Sequence, residues 1–212
     1  MNIGDISETL VLGVVLAGGR SRRMAGQDKT LLRWGQQTLL ERVVDRARRQ
    51  TSSLLISTHQ PTDAFDHLGL QCVHDEVPDN PGPLAGIISA MQWSVHTQSG
   101  HVWLASFAAD TPFIPDDFVR HCLGVARAKA APIVYARTEK SHYALALWQI
   151  NLLPELQQRL AAGERALKNV MVEYEACPCD FNLPVAGPDP FFNINTPEEW
   201  SQAQEYFNNA EE

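Results

Sequence analysis

Cysteine is scarce in this chain: four among 212 residues, Cys72, Cys122, Cys177 and Cys179. So few exclude a disulfide scaffold, and "CPC" lacks the two intervening residues of a zinc knuckle or redox pair. All four are read as reduced thiols of a cytoplasmic protein. Positive charge is also short: 17 lysines and arginines stand against 25 aspartates and glutamates, a formal net charge of -8. That balance argues against nucleic acid or a membrane surface as partner, since both select a basic face. Long apolar runs are missing, "LVLGVVLA" being far too short to cross a bilayer, and Asp5 and Glu8 stand where a secretory leader carries lysine or arginine. No targeting segment is expected. The seven histidines show no metal-ligand spacing, and "GRSRR" lacks the second glycine of a nucleophile elbow.

What is present suits one domain. A length of 212 residues with 44% hydrophobic content supports a single core spanning 1–212. "VLGVVLA" (11–17) is a continuous apolar run closed by Gly18-Gly19, the pattern of a strand buried on both faces of a parallel sheet. Residues 38–50 place Leu39, Leu40, Val43, Val44 and Ala47 on one helical stripe, with Thr38 and Glu41 spaced as a capping box. Strands are predicted at 53–58, 69–77 and 101–110, and helices at 83–95 and 116–130. This alternation predicts an α/β, Rossmann-like fold: a mostly parallel central sheet with right-handed crossovers and helices on both faces. Residues 131–137 and 143–148, joined by "TEKSH", predict a short antiparallel insertion. Helices follow at 151–162 and 164–173, then a short strand "FFNIN" (191–195) and a helix opened by Thr196 and Pro197.

In such a sheet ligands sit beyond the carboxyl ends of the strands. After the first strand, Gly18-Gly19 lets backbone N–H groups approach an anion while Arg20, Arg22, Arg23 and Lys29 supply charge matched to polyphosphate oxygens. The loop fits neither the Walker pattern nor the dinucleotide one. Asp75 and Asp110 follow later strands, and a carboxylate at such an end suits Mg²⁺, which keeps most of its waters and bridges phosphate oxygens. "NPGPLAG" (80–86) is a stiff loop that Gly82 and Gly86 open to close approach, placing Gly82, Pro83 and Leu84 toward a ligand.

Together, "LAGGRSRRMAGQDK", "NPGPLAGI", "DTPFIP" and "FFNINTPEE" resemble the molybdenum cofactor guanylyltransferases, the MobA group of nucleotidyltransferases. The resemblance runs from Leu16 to Glu199. It implies transfer of GMP from GTP to the phosphate of molybdenum-loaded molybdopterin, forming the guanine dinucleotide cofactor and releasing pyrophosphate. It further implies that Leu16, Ala17, Gly18 and the adjoining Gly19 lie against the nucleotide, that Arg22, Lys29, Ser57 and Asp75 contact it, and that Asp110 binds both nucleotide and Mg²⁺. Asp110, Lys29 and Arg23 would carry catalysis, while Asn193 and Asn195 belong to the pterin side. Residues 1–115 then form mainly the GTP and Mg half and residues 116–212 mainly the pterin half. A cofactor-loading protein and molybdoenzyme-specific chaperones are the protein partners such chemistry implies.

The match has departures. Ala25 stands where the family favours glycine, Ser57 takes the place of a nucleotide-binding asparagine with His59 nearby, and His142-Tyr143-Ala144 replaces "HPT". Cytidylyl or other nucleotidyl transfer to molybdopterin or a sugar phosphate stays open, as does a non-catalytic GTP-binding delivery module.

Overall fold

A computed structural model of the chain describes residues 10–18, 32–59, 62–74, 82–185 and 187–209. The apolar run after Leu10 forms β1 (Val11–Leu16), buried along both faces as its unbroken hydrophobicity requires. A two-strand hairpin, β2 (Arg33–Trp34) and β3 (Gln37–Thr38), turns at Gly35, whose φ of +60° favours glycine. It leads directly into α1 (Leu39–Arg48). The capping box is present, with Glu41 N–H donating to Thr38 Oγ1 at 3.1 Å and Thr38 N–H to Glu41 Oε2 at 2.5 Å. The five apolar positions of the stripe are all buried.

The remaining elements are β4 (Ser53–Ser57), a 3₁₀ turn (Thr62–Leu68), β5 (Gln71–Val73), α2 (Pro83–His96), β6 (Trp103–Ala108), α3 (Phe118–Lys129), β7 (Ile133–Arg137), β8 (Ser141–Gln149), a short 3₁₀ turn (Ile150–Leu152), α4 (Leu153–Ala161), α5 (Leu167–Glu173), β9 (Cys177–Asp180) and α6 (Pro197–Asn209). One seven-stranded sheet, in the order β5-β4-β1-β6-β8-β7-β9, carries them. Only β8 runs against the others, paired antiparallel to both β6 and β7. The antiparallel insertion is therefore one reversed strand wedged into a parallel sheet, and β7 and β9 keep the common direction.

Helices cover both faces. Leu40, Val43 and Val44 of α1 and Phe118, Val119 and Cys122 of α3 pack on one side, while Leu84, Ile87 and Met91 of α2, Leu156 of α4 and Val170 of α5 pack on the other. A third cluster docks α6 through Phe207 and Ala203 onto Leu39, Trp34 and Phe113. The Arg42 guanidinium lies 4.5 Å from the Trp34 ring centre and 4.7 Å from that of Phe207. All four cysteines are free thiols. Among the described residues no helix is long and apolar enough to cross a membrane.

Two expectations need correction. The "FFNIN" segment is not a strand: residues 191–195 leave a turn and continue as irregular extended chain. Its Ile194 N–H donates to Asp110 O at 3.0 Å rather than to a sheet ladder. Conversely β9 lies in a stretch where no strand was predicted. Pro178 removes a ladder donor, which is tolerated because β9 is an edge strand paired only with β7.

At the centre of the sheet the Trp148 indole N–H donates to Ser106 Oγ at 3.0 Å, and both residues are fully buried. Ser106→Ala would strand that donor in the core. We expect a loss of about 1–3 kcal/mol in urea unfolding, with the fold otherwise unchanged.

Candidate active site

The parallel register brings the strand ends level. Leu16 lies opposite Ser57 on one side and Ala108 on the other, and Ser57 lies opposite Val73. The ladder then continues one residue past each strand. Ala17 N–H donates to Ser57 O at 2.8 Å, Thr58 N–H to Val73 O at 3.2 Å, and Ala109 N–H to Leu16 O at 3.3 Å. Gly18, His59, His74 and Asp110 are the first residues beyond that hydrogen-bonded rim. His74 Nδ1 lies 2.9 Å from Thr58 O, and because a carbonyl only accepts, Nδ1 carries the proton.

Gly18 is held tight: a Cβ there would come within 2.9 Å of the His59 ring. Ser57 is buried, and its Oγ is the atom that a Cβ on Gly86 would meet at 2.4 Å, with Leu16 Cδ2 at 3.0 Å. So α2 approaches the sheet closely just where β1 and β4 end, and only a glycine at 86 permits it. Of the three residues closing β4, Ser57 and Thr58 are buried while His59 is exposed. His59 is the side chain that faces outward there.

Gly82 caps α2 at φ +78°, a conformation that L side chains rarely adopt, and Pro83 occupies the first helical turn. Leu84 is fully buried in the α2-side core, leaving its backbone rather than its side chain for any ligand. Asp110 sits in a turn closed by Thr111, whose N–H and Oγ1 both donate to Ala108 O, at 3.2 and 2.7 Å. Asn195 Nδ2 donates to Asn193 Oδ1 at 2.7 Å, so the two asparagines meet side by side without strand geometry. Asn195 N–H and Thr196 N–H both donate to Glu199 Oε2, at 2.6 and 3.0 Å, and Glu199 N–H returns to Thr196 Oγ1 at 3.2 Å. This capping box anchors the segment to α6.

The structure thus gathers Leu16, Ala17, Gly18, Ser57, Asp110, Asn193 and Asn195 at one edge. Gly19, Arg22, Arg23, Lys29 and Asp75 lie outside the described residues. Sequence reasoning missed the packing of Gly86 on Ser57 and the seating of His59 on Gly18. It also missed a partly buried contact of Thr138, His142 and Asp189, for which the departure from "HPT" at His142 was the one available signal. Burial lowers the His142 pKa below its ordinary value, and Lys140 adds to that, while Asp189 opposes it.

With that geometry in place, a family model described as the MobA-like NTP transferase domain matches residues 13–177. The chain belongs to this family. It is 39% identical over 194 residues to a molybdenum cofactor guanylyltransferase of Nitrobacter hamburgensis, covering 91% of this chain and 92% of the relative. The molybdopterin-guanine dinucleotide biosynthesis protein A of Archaeoglobus fulgidus shares the fold at TM-score 0.70 with 20% identity, covering 93% of this chain and 99% of that one. Rv0371c of Mycobacterium tuberculosis, solved in complex with manganese, matches at TM-score 0.66 with 18% identity, over 93% and 99% of the two chains. Membership in the MobA-like family makes the chain a nucleotidyltransferase.

Gly86→Ala should lower thermal stability and nucleotide affinity together, because the new methyl meets Ser57 Oγ at 2.4 Å. Adding Ser57→Gly removes that atom and Ser57 Cβ. The pair should show a coupling of at least about 1 kcal/mol in a double-mutant cycle of urea unfolding.

Proposed function

We propose that the chain transfers GMP from GTP to the terminal phosphate of molybdenum-loaded molybdopterin, forming molybdopterin guanine dinucleotide and releasing pyrophosphate. The observation that carries this reading is the 3.0 Å hydrogen bond from Ile194 N–H to Asp110 O. It sets the segment bearing Asn193 and Asn195 directly against the turn bearing Asp110, so that donor and acceptor motifs meet at one rim. The guanylyltransferase relative and its near-complete overlap with this chain support the choice of base and acceptor.

In this reading Leu16, Ala17 and Gly18 present backbone to the nucleotide, as Gly19 does next to them, and at the N-terminus of α2 Gly82 and Leu84 offer N–H groups to its anionic part while Pro83, which has none, fixes the first turn between them. Arg22, Arg23 and Lys29 hold the triphosphate, and Ser57 and Asp75 add contacts. Asn193 and Asn195 hold the pterin. Residues 1–115 serve mainly the nucleotide and residues 116–212 mainly the acceptor. The attacking phosphate oxygen is already ionised at neutral pH, so no protein nucleophile is needed. The residues instead bring two anions into line on the α-phosphorus and balance charge as pyrophosphate leaves.

A divalent cation fits the donors at this edge. Among the described residues no group of three or more His, Cys, Asp or Glu side chains could hold a metal ion, and Asp110 offers a carboxylate at the end of β6. That suits Mg²⁺, which takes one or two carboxylates and fills its sphere with water and phosphate oxygens. Asp110 would hold it, and when bound it would neutralise phosphate charge. The manganese complex of Rv0371c supports a divalent ion in this fold. We place the reaction in the cytoplasm, with a cofactor-loading protein and molybdoenzyme-specific chaperones on either side of it.

Pyrophosphate release with molybdenum-loaded molybdopterin and each of the four nucleoside triphosphates tests the proposal. Release with GTP alone is expected; release with CTP would reassign the base, and binding of GTP without release would make the chain a delivery module. Asp110→Asn, which keeps the backbone bond to Ile194, should lower turnover by roughly 100-fold or more. Near-normal turnover in that variant would remove Asp110 from the chemistry.

A further inference from the structure

Beyond the carboxyl end of β7 the chain turns through residues 138–140 into β8, and three side chains meet at that turn. Thr138 Oγ1 lies 2.8 Å from Asp189 Oδ2 and 3.0 Å from His142 Nε2. A threonine hydroxyl has one proton to give. The carboxylate can only accept, so that proton points to Asp189, and the hydroxyl oxygen accepts from His142. The tautomer of His142 is thereby fixed, with the proton on Nε2.

The relay does not end at Asp189. Its second oxygen, Oδ1, accepts Phe191 N–H at 2.8 Å. Phe191 is fully buried, and its ring lies 5.1 Å from the His142 ring, centre to centre. The His142 side chain is 7% exposed and that of Asp189 19%, so the first is largely enclosed and the second partly so. From Phe191 the chain runs on to Asn193, Ile194 and Asn195, and Ile194 N–H closes on Asp110 O. One end of the asparagine segment is therefore tied to β7 and β8, and the other to the end of β6.

We propose that His142, Thr138 and Asp189 form a positioning relay that sets the asparagine segment against Asp110, so that His142 governs use of the pterin acceptor and leaves nucleotide use alone. This rests on the reading above that Asn193 and Asn195 hold the acceptor. His142 is a positioning residue, acting through Thr138 and Asp189 on backbone. The geometry also discriminates between substitutes. Glutamine can place an amide N–H where Nε2–H stands, whereas the shorter asparagine reaches only the Nδ1 position.

The test uses the full chain, with pyrophosphate release measured against molybdenum-loaded molybdopterin and against GTP separately. His142→Ala should raise the KM for the pterin about tenfold while the KM for GTP stays within about twofold. His142→Gln should return the pterin KM to within about threefold of the parent, and His142→Asn should not. An equal rise in both KM values, or glutamine no better than asparagine, overturns the relay and leaves His142 an ordinary core residue. Should His142→Ala fail to fold, Thr138→Val breaks the same relay while keeping the branched shape, and an unchanged pterin KM there overturns the proposal. Asn195→Ala separates the two readings. A raised pterin KM in Asn195→Ala with none in the relay variants removes the relay alone, and an unchanged value in Asn195→Ala removes the acceptor reading and the relay with it.

Discussion

The level ending of four parallel strands is the constraint on which the site depends. In a parallel ladder the pairing register decides where each strand stops relative to its neighbours. Here Leu16 is held opposite both Ser57 and Ala108, and Ser57 opposite Val73. A slip of one residue between β1 and β6 would move Asp110 by about 3.3 Å along the strand and turn every side chain of that strand to the other face. The continuous burial of Val11, Leu12, Val14 and Val15 prevents such a slip, because both faces of β1 are packed under helices. Core burial and ligand geometry are therefore fixed by the same register.

Close packing at the rim has its own requirement. The Oγ of Ser57 and the methyl of Leu16 lie where a Cβ on Gly86 would stand, and the His59 ring lies where one on Gly18 would. These glycines set how near α2 can come to the ends of β1 and β4 and how near Gly18 can come to His59. The sequence motifs "LAG" (16–18) and "GPLAG" (82–86) look like separate loops. In the fold they are two sides of one contact, with the end of β4 between them.

Much of this was legible in the residues, and the misses have physical causes. The helix at Leu39–Arg48 announced itself through an apolar stripe and a capping box, both local signals. The strand ends at Gly18 and Asp110 were legible because a buried run stopped at a turn residue. By contrast β9 was hidden by Pro178, which only an edge position accommodates, and edge position is a property of the whole sheet. The alternation in "FFNIN" suggested a strand, yet Phe191 packs on Phe118 and Phe181, Phe192 lies near Phe113 and Tyr206, and Ile194 bonds to Asp110. Tertiary partners took the places that a strand would have given to a ladder. The roles proposed for Arg23 and Lys29, which lie outside the described residues, rest on their charge and on family likeness.

That irregular segment explains a difference between the two sides of the rim. On the side proposed for the nucleotide, backbone at the ends of β1, β4 and β6 is held by ladder bonds. On the side proposed for the acceptor the sheet offers no such support, because β8 is reversed and its amino end, Ser141 and His142, lies level with the carboxyl end of β7. Backbone there is held by side chains instead: Asp189 accepts Phe191 N–H and is itself bonded to Thr138, which accepts from His142, in a partly buried cluster. A side-chain support can be retuned by single substitutions without disturbing the sheet, whereas a ladder cannot. Variation in acceptor use should therefore accumulate around residues 138–142 and 189–195, while the rim formed by β1, β4 and β6 keeps its geometry.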